Sequence, residues 1–464
     1  MEKNAARSGG FGRTLVTLAV PIVIQNFIVS SLNMADTLML GSLADPVMAE
    51  SAVAAAGVAN QYFFLFNLVA NGAAAGASVF ISQYWGCGDR QSIRRTTGLG
   101  LVTNLLIGLL FTLPALLFSG GIIRLFSPSH VIVGLGASYL RLVCLSYVFT
   151  GVSFLLSNAL RSIGRTALPM AVSIMAVGTN IILNWVLIFG KLGAPAMGIR
   201  GAALATLLAR ILECGLLLLL SFRKGCPLRG PWKELMGFDS AFVLKTVRQT
   251  VPIVLNEGCW ALGAILYVAA YGHISDQAIA AFQICSTIQN LFMVVCFGLA
   301  SAALVMTGNE MGAGRRERAL AYSRKFTLLG LLTGLLLGVT VLFAAPGLLT
   351  LFNVTSDSAA SAVAMLRIFA LIAPVRVLNV VLIVGVFRGG GDAGFALAAE
   401  GLTMWCIGVP LAFLGAMAFH LPVEQVALLV TLEEIVKCVV CLIRLKSNRW
   451  LHNVIGETAS ISTE

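Results

Sequence analysis

Charge is what this chain most lacks. Of its 464 residues only 11% are Asp, Glu, Lys or Arg, while 58% are hydrophobic, and the mean hydropathy is +0.92. A soluble domain carries about 25% charged residues, so an aqueous surface is excluded and lipid must be the solvent. Alternation is missing as well. Runs such as 106-LIGLLFTLPALLF and 328-LLGLLTGLLLGVTVLF are continuously apolar, which excludes a membrane β-barrel and leaves α-helices that satisfy their own backbone hydrogen bonds. Histidine is scarce, four in all and without HExxH spacing, and GxxxxGK[ST] does not occur. Neither metal-dependent hydrolysis nor ATP hydrolysis is predicted, and no enzyme activity or cofactor. The GxGxxG at Gly389–Gly394 follows an apolar helical run rather than a strand and lacks the βαβ context that gives it meaning. The ten cysteines are scattered, and the one CxxC, Cys438 and Cys441, lies in apolar 435-IVKCVVCLI. Apolar burial disfavours the thiolate that redox or zinc chemistry needs, so helix packing is expected there.

What the chain does have is twelve apolar runs. They predict spans at about 14–40, 52–85, 96–119, 131–157, 167–190 and 198–222, then 241–272, 278–310, 319–345, 359–387, 394–419 and 423–445. The first run begins near Leu15 and is followed by no small-residue cleavage pattern, so it is expected to remain as the first span. The net charge of +11 reports topology rather than affinity for nucleic acid. Basic residues crowd alternate connections, for example Arg90, Arg94, Arg95, Arg315, Arg316 and Arg318, whereas the other side has only Arg124, Lys191 and Arg200. By the positive-inside rule both termini are expected to be cytoplasmic. The segment 223-RKGCPLRGPWKELMGFDSAF predicts a linker. The expected organisation is a six-helix bundle over 1–222, a cytoplasmic linker over 223–240, a second six-helix bundle over 241–446 and a cytoplasmic tail over 447–464.

The halves repeat one another. At an offset close to 226, Gly72, Gly86 and Gly88 match Gly298, Gly312 and Gly314; 159-ALRSIGRT matches 386-VFRGGGDA one residue farther along. Near the start of each half, Pro21, Gly41 and Asp45 match Pro252, Gly272 and Asp276 after a five-residue adjustment. Each half has an even number of spans, so the copies share one orientation, a parallel design used by alternating-access transporters. A receptor or assembly subunit has no need of it, and the connections are too short for a sensory domain.

An ionisable group inside a span costs at least ~2.5–3.5 kcal/mol on insertion scales and calls for an explanation. Asp36 follows Pro21 by fifteen positions and Gln25 by eleven, which places all three within about 60° on one helix face, with Asn33 near the same stripe. The stripe suits a polar lumen, with Asp36 as the leading functional residue; an interfacial aspartate is the alternative. Pro21 removes one backbone hydrogen bond and allows the first span to bend. Glu257 lies within the seventh span, either contacting cargo or an ion, or forming a structural pair with Arg376. Asn67 with Asn71, and Gln283 with Thr287 and Asn290, follow helical spacing and either line a cavity or bond between helices. Glu400 is expected at an interface, and Glu213, Glu433, Glu434 and Lys437 in a peripheral charge network.

The motifs 34-MADTLMLG, 82-SQYWGCGD, 158-NALRSIGRT, 180-NIILNWVLIFG, 197-MGIRGAALAT, 309-NEMGAG and 387-FRGGGD, in this order on twelve spans, resemble the multidrug and toxic compound extrusion (MATE) family over nearly the whole chain. The resemblance implies an all-α membrane protein, a V-shaped pair of pseudo-symmetric six-helix bundles. It implies export of organic, often cationic compounds or amphiphiles in exchange for Na+ or H+, from a monomer in the cell membrane. It makes Asp36 a cation-binding residue, and bending at Pro21 a part of the transport cycle. Asn180 and Asn184, with Thr206, match the first-bundle cation site of the DinF-like branch, although that branch commonly has an aspartate at the place of Asn184. Helix-to-helix amide bonding is the alternative reading of these residues. The glutamate of the NorM-like branch falls nearer Trp260 than Glu257, and Arg376 lies near an expected acidic position, which weakens a second-bundle ion site. The same superfamily contains flippases of lipid-linked precursors, usually with more spans, and Arg141, Arg367 and Arg376 would suit such anionic cargo.

Overall fold

The computed structural model of the chain describes residues 10–43, 45–349 and 356–456, apart from the side chains at 33, 276, 280, 346, 348, 349 and 356–359. Among these residues there are helices and connections but no strand. Twelve long helices follow the predicted spans: α1 Phe11–Gly41, α2 Pro46–Cys87, α3 Arg90–Arg124, α4 His130–Val143 bent by 48° into Leu145–Ser162, α5 Ala167–Phe189 and α6 Ile199–Ser221. In the second half they are α7 Ser240–Gly272, α8 Asp276–Gly312, α9 Arg316–Leu349, α10 Ser356–Val380 extended by a π-helical Val381–Phe387, α11 from Ala393 to Ala418, and α12 Val423–Lys446. Ten are apolar and long enough to cross a membrane, and the bent α4 makes eleven. The twelfth, α12, has the length but carries Glu433, Glu434 and Lys437 in its middle.

The apolar residues divide between core and lipid. On α9, Leu328, Leu332, Leu335, Leu336 and Phe343 are exposed while Phe326 and Val341 are fully buried. In water such a face would be an aggregation surface; in a bilayer it is the contact with acyl chains. Between helices, small residues take over from the hydrophobic effect. Gly330, Gly334 and Gly338 of α9 lie at four-residue intervals against α10, and a Cβ on Gly334 would stand 2.5 Å from the Cα of Pro374.

The helices gather into two compact bundles. The first comprises 20–81 and 89–250; its centre is the stacked pair Phe66 and Tyr147, with ring centroids 4.8 Å apart. The second comprises 10–19, 82–88 and 251–456 of the described residues, with Tyr271 stacked on Phe282 at 4.7 Å. The divisions in α1 and α7 fall beside Pro21 and Pro252, the prolines paired by the sequence repeat. The repeat is visible in backbone conformation too. Gly88 and Gly314 are left-handed at φ +84° and +71°, and Gly164 and Gly391 at +83° and +85°. These are conformations that glycine adopts without steric cost. In the second bundle the chain after α12 folds back: Trp450 is fully buried against Gly390, and the His452 amide donates to the Gly390 carbonyl at 2.7 Å.

Candidate functional site

In the first bundle, Asp36 of α1 meets a line of neutral polar groups. Asn184 Nδ2 donates to Asp36 Oδ1 at 2.6 Å and to Asn180 Oδ1 at 2.9 Å, and Asn180 Nδ2 donates to Thr206 Oγ1 at 3.3 Å. The two asparagines are one turn apart on α5 and fully buried, so the spacing that places them on one face lets Asn184 bridge Asn180 to Asp36. Asn184 Oδ1 is buried without a hydrogen-bond partner. A free amide oxygen beside a carboxylate is a donor set for a hard cation, and the carboxylate can instead take a proton. Asn33 was placed on the same stripe by sequence; its side chain lies outside the described residues.

A second polar line in this bundle involves residues that sequence reading left apart. Gln25 is buried, not open to a lumen. Arg161 Nη2 donates to Gln25 Oε1 at 2.6 Å, and Gln25 Nε2 donates to Ser173 Oγ at 2.8 Å. Ser173 Oγ donates to Glu213 Oε1 at 3.1 Å, and Arg210 Nη1 pairs with Glu213 Oε2 at 2.7 Å. Glu213 is therefore an internal residue and not a peripheral one. A small cavity lined by Asn180, Thr206, Arg210 and Glu213 joins the two lines.

The second bundle repeats this plan with other chemistry. The offset that pairs Pro21 with Pro252 also pairs Gln25 with Asn256 and Asp36 with Tyr267. The offset that pairs Gly164 with Gly391 pairs Arg161 with Arg388 and Ser173 with Glu400. Arg388 accordingly bonds to Asn256 as Arg161 bonds to Gln25, and it also reaches Glu257 Oε1 at 2.8 Å. The partner of Glu257 is thus Arg388 and not Arg376, because α10 turns the two arginines toward different neighbours. Arg376 Nη1 donates to Gln289 Oε1 at 2.7 Å and lies 3.9 Å from Glu434.

Glu400, Glu433, Glu434 and Lys437 of the second bundle pack together, with Glu433 and Lys437 buried, which corrects the expectation of a peripheral network and gives Glu400 an internal partner. Lys437 of α12 is only 3% exposed and stands 2.7 Å from Glu433, 2.9 Å from Glu400 and 3.7 Å from Glu434. Tyr267 donates to Glu433, and Asn379 Nδ2 to Glu434 at 2.8 Å. The i, i+3 and i, i+4 spacing of Glu434, Glu433 and Lys437 on an apolar helix was the signal available in sequence. The contributions of α7, α10 and α11 were not.

The other candidates lie on surfaces within their bundles. Asn67 is half-buried and Asn71 exposed on α2; Gln283 and Asn290 are exposed on α8. Among the described residues no group of three or more His, Cys, Asp or Glu has the geometry of a metal site.

Comparison with known proteins agrees with this architecture. The MatE family model matches residues 21–186 and 252–414, one stretch in each half. A probable multidrug resistance protein NorM from Thermotoga maritima is 26% identical over 88% of this chain and 86% of its own length. The uncharacterized transporter YisQ of Bacillus subtilis is 24% identical over 94% and 95%. A solved MOP superfamily transporter from Pyrococcus furiosus superposes with a TM-score of 0.84 at 19% identity, covering 94% of this chain and 96% of that one. With a duplicated six-helix plan, matched arginine–amide locks and a family model spanning both halves, the chain belongs to the MATE family of multi-pass membrane transporters.

Proposed function

We propose that the protein exports small organic cations or amphiphiles from the cell in exchange for H+ or Na+, with Asp36 as the carboxylate that carries the coupling ion. The observation that supports this most directly is the line Asp36–Asn184–Asn180–Thr206, buried at its two asparagines, with its unpartnered Asn184 Oδ1. An ionised Asp36 presents a negative charge to neutral amides. Ion entry neutralises it, so the cost of a charge at this depth changes with occupancy, which gives alternating access a free-energy handle. Bending at Pro21, where α1 lacks a backbone hydrogen bond, supplies a route for coupling to helix motion.

Moving one charge through 100 mV supplies about 2.3 kcal/mol, enough for about fifty-fold accumulation of a neutral solute. Basic connections favour an orientation with both termini in the cytoplasm and residence in the plasma membrane; we take the working unit to be a monomer. Anionic lipid-linked cargo is less well served: Arg376 is held by Gln289 and Glu434, and Arg141 by Ser119 at 2.8 Å.

The test is efflux of a fluorescent lipophilic cation from proteoliposomes under separately imposed proton and sodium gradients. Gradient-driven movement that is lost in Asp36→Asn supports the proposal, and the gradient that works names the ion. Failure of both gradients to move any of a broad cation panel sinks it in favour of precursor flipping.

A further inference from the structure

We propose that Glu400 binds and releases a proton, which gives the second bundle a proton site of its own that does not depend on Asp36. Charge balance is the starting point. Three carboxylates, Glu400, Glu433 and Glu434, converge on one ammonium, Lys437, and among the described residues the only other cation in reach is Arg376, 3.9 Å from Glu434. With every group ionised the cluster keeps one uncompensated negative charge within the bilayer, a costly state that taking up one proton removes.

Hydrogen bonding decides which carboxylate takes it. Glu433 accepts from both Tyr267 and Lys437, and Glu434 accepts from Asn379 and lies close to Lys437 and Arg376. Glu400 has Lys437 alone, on Oε1. It is the least compensated of the three and, at 13% side-chain exposure, is not sealed in the core as Glu433 is at 4%. Among the described residues its surroundings supply no second cation: Cys441 is its neighbour on α12, and Arg444 is committed to Asp392 at 2.8 Å.

Two further observations point the same way. Asn379 is 2% exposed and its Nδ2 donates to Glu434, a neutral donor that Glu400 lacks. The backbone is also shaped around the site. Met404–Gly408 of α11 is π-helical, and a Cβ on Gly408 would collide with the Tyr267 hydroxyl and Glu433. Such insertions recur at functional sites. In the first bundle the place equivalent to Glu400 is held by Ser173, a neutral hydroxyl that donates to Glu213. Protonated Glu400 gives the second bundle the same neutral O–H at that place. The step is carboxylate plus proton to carboxylic acid, with Lys437 losing one of three acceptors and keeping its own proton.

The experiment is infrared difference spectroscopy of the full-length protein in lipid nanodiscs across a pH step, reading the carbonyl stretch of protonated carboxylic acids. The wild type is prepared with ordinary and with 13C-labelled glutamate, beside Glu400→Gln, Glu400→Ser and Asp36→Asn. We expect a titrating band that shifts with the glutamate label, survives Asp36→Asn, and is lost in both Glu400 variants. A titrating glutamate band that persists in either folded Glu400 variant overturns the assignment. If neither variant folds, the labelled wild type still decides, because absence of any titrating glutamic-acid band refutes the proposal. Loss of transport in Asp36→Asn, or its retention, leaves this readout untouched, so the two proposals fail separately.

Discussion

Asp36 and Tyr267 hold the same place in two copies of one repeat, and the helices around them have drifted in opposite electrostatic directions. In the first bundle Asp36 accepts from a neutral amide, Asn184, and the nearby ion pair is Arg210 with Glu213. In the second the aspartate is a tyrosine, and three turns into α12 the signs are reversed: Glu434 and Lys437 stand three residues apart in the order acid then base. What both copies retain is the lock after the proline, Arg161 to Gln25 and Arg388 to Asn256. Duplication has preserved this arginine–amide lock and let the residue at the place of Asp36 change. A carboxylate without an internal counter-ion has its charge set by whatever binds, whereas one beside a lysine has its charge set by the fold.

That contrast can be broken most severely at Lys437. Lys437→Met leaves three carboxylates facing one another, and removing one partner of a buried pair typically costs about 3–5 kcal/mol. Thermal unfolding in detergent should drop sharply, and adding Glu433→Gln to this variant should restore part of the loss. Asp36→Asn should do the opposite. Its stability changes by less than about 1 kcal/mol, since an amide can still bond Asn184, yet gradient-driven transport vanishes. A variant that is both unstable and inactive would erase the distinction between the two sites.

Asn184→Ala sharpens the comparison further. It deletes the donor to Asp36 and the free oxygen together, and a loss of about 1–2 kcal/mol in the hydrogen-bond line corresponds to about tenfold weaker half-saturation by the coupling ion. The measurement is transport rate against ion concentration. Smallest of all is Glu257→Gln. Arg388 is 3% exposed but keeps Asn256, and Glu257 is 32% exposed, so the loss should fall below the ~3–5 kcal/mol of a fully buried pair. Transport should remain within about fivefold of wild type; a complete loss would move an essential ion contact to the second bundle.

Much of this was legible before any coordinates. Twelve apolar runs are helices because backbone polar groups have no other partner in lipid. The repeat glycines reappear at matching left-handed angles because no other residue adopts them so cheaply. Asn180 and Asn184 were readable as a pair because one turn of helix separates them. Glu257 was given the wrong arginine, since helical spacing gives a residue's face but not which neighbouring helix that face meets. The internal partners of Glu400 and Glu213 were missed for a related reason. Position near a helix end resembles an interface in sequence, while depth within a bundle depends on packing against other helices.

The sequence by itself determined the solvent, the number of helices, the duplication and the presence of ionisable groups where lipid disfavours them. These follow from composition and from periods along one chain. Tertiary structure decided the partners: Asp36 with Asn184, Glu213 with Ser173 and Arg210, Lys437 with carboxylates from α11 and α12. The physical reason is that a buried charge is stabilised by atoms within a few ångströms. Those atoms come from helices more than a hundred residues apart for Asp36, and from three separate helices around Lys437.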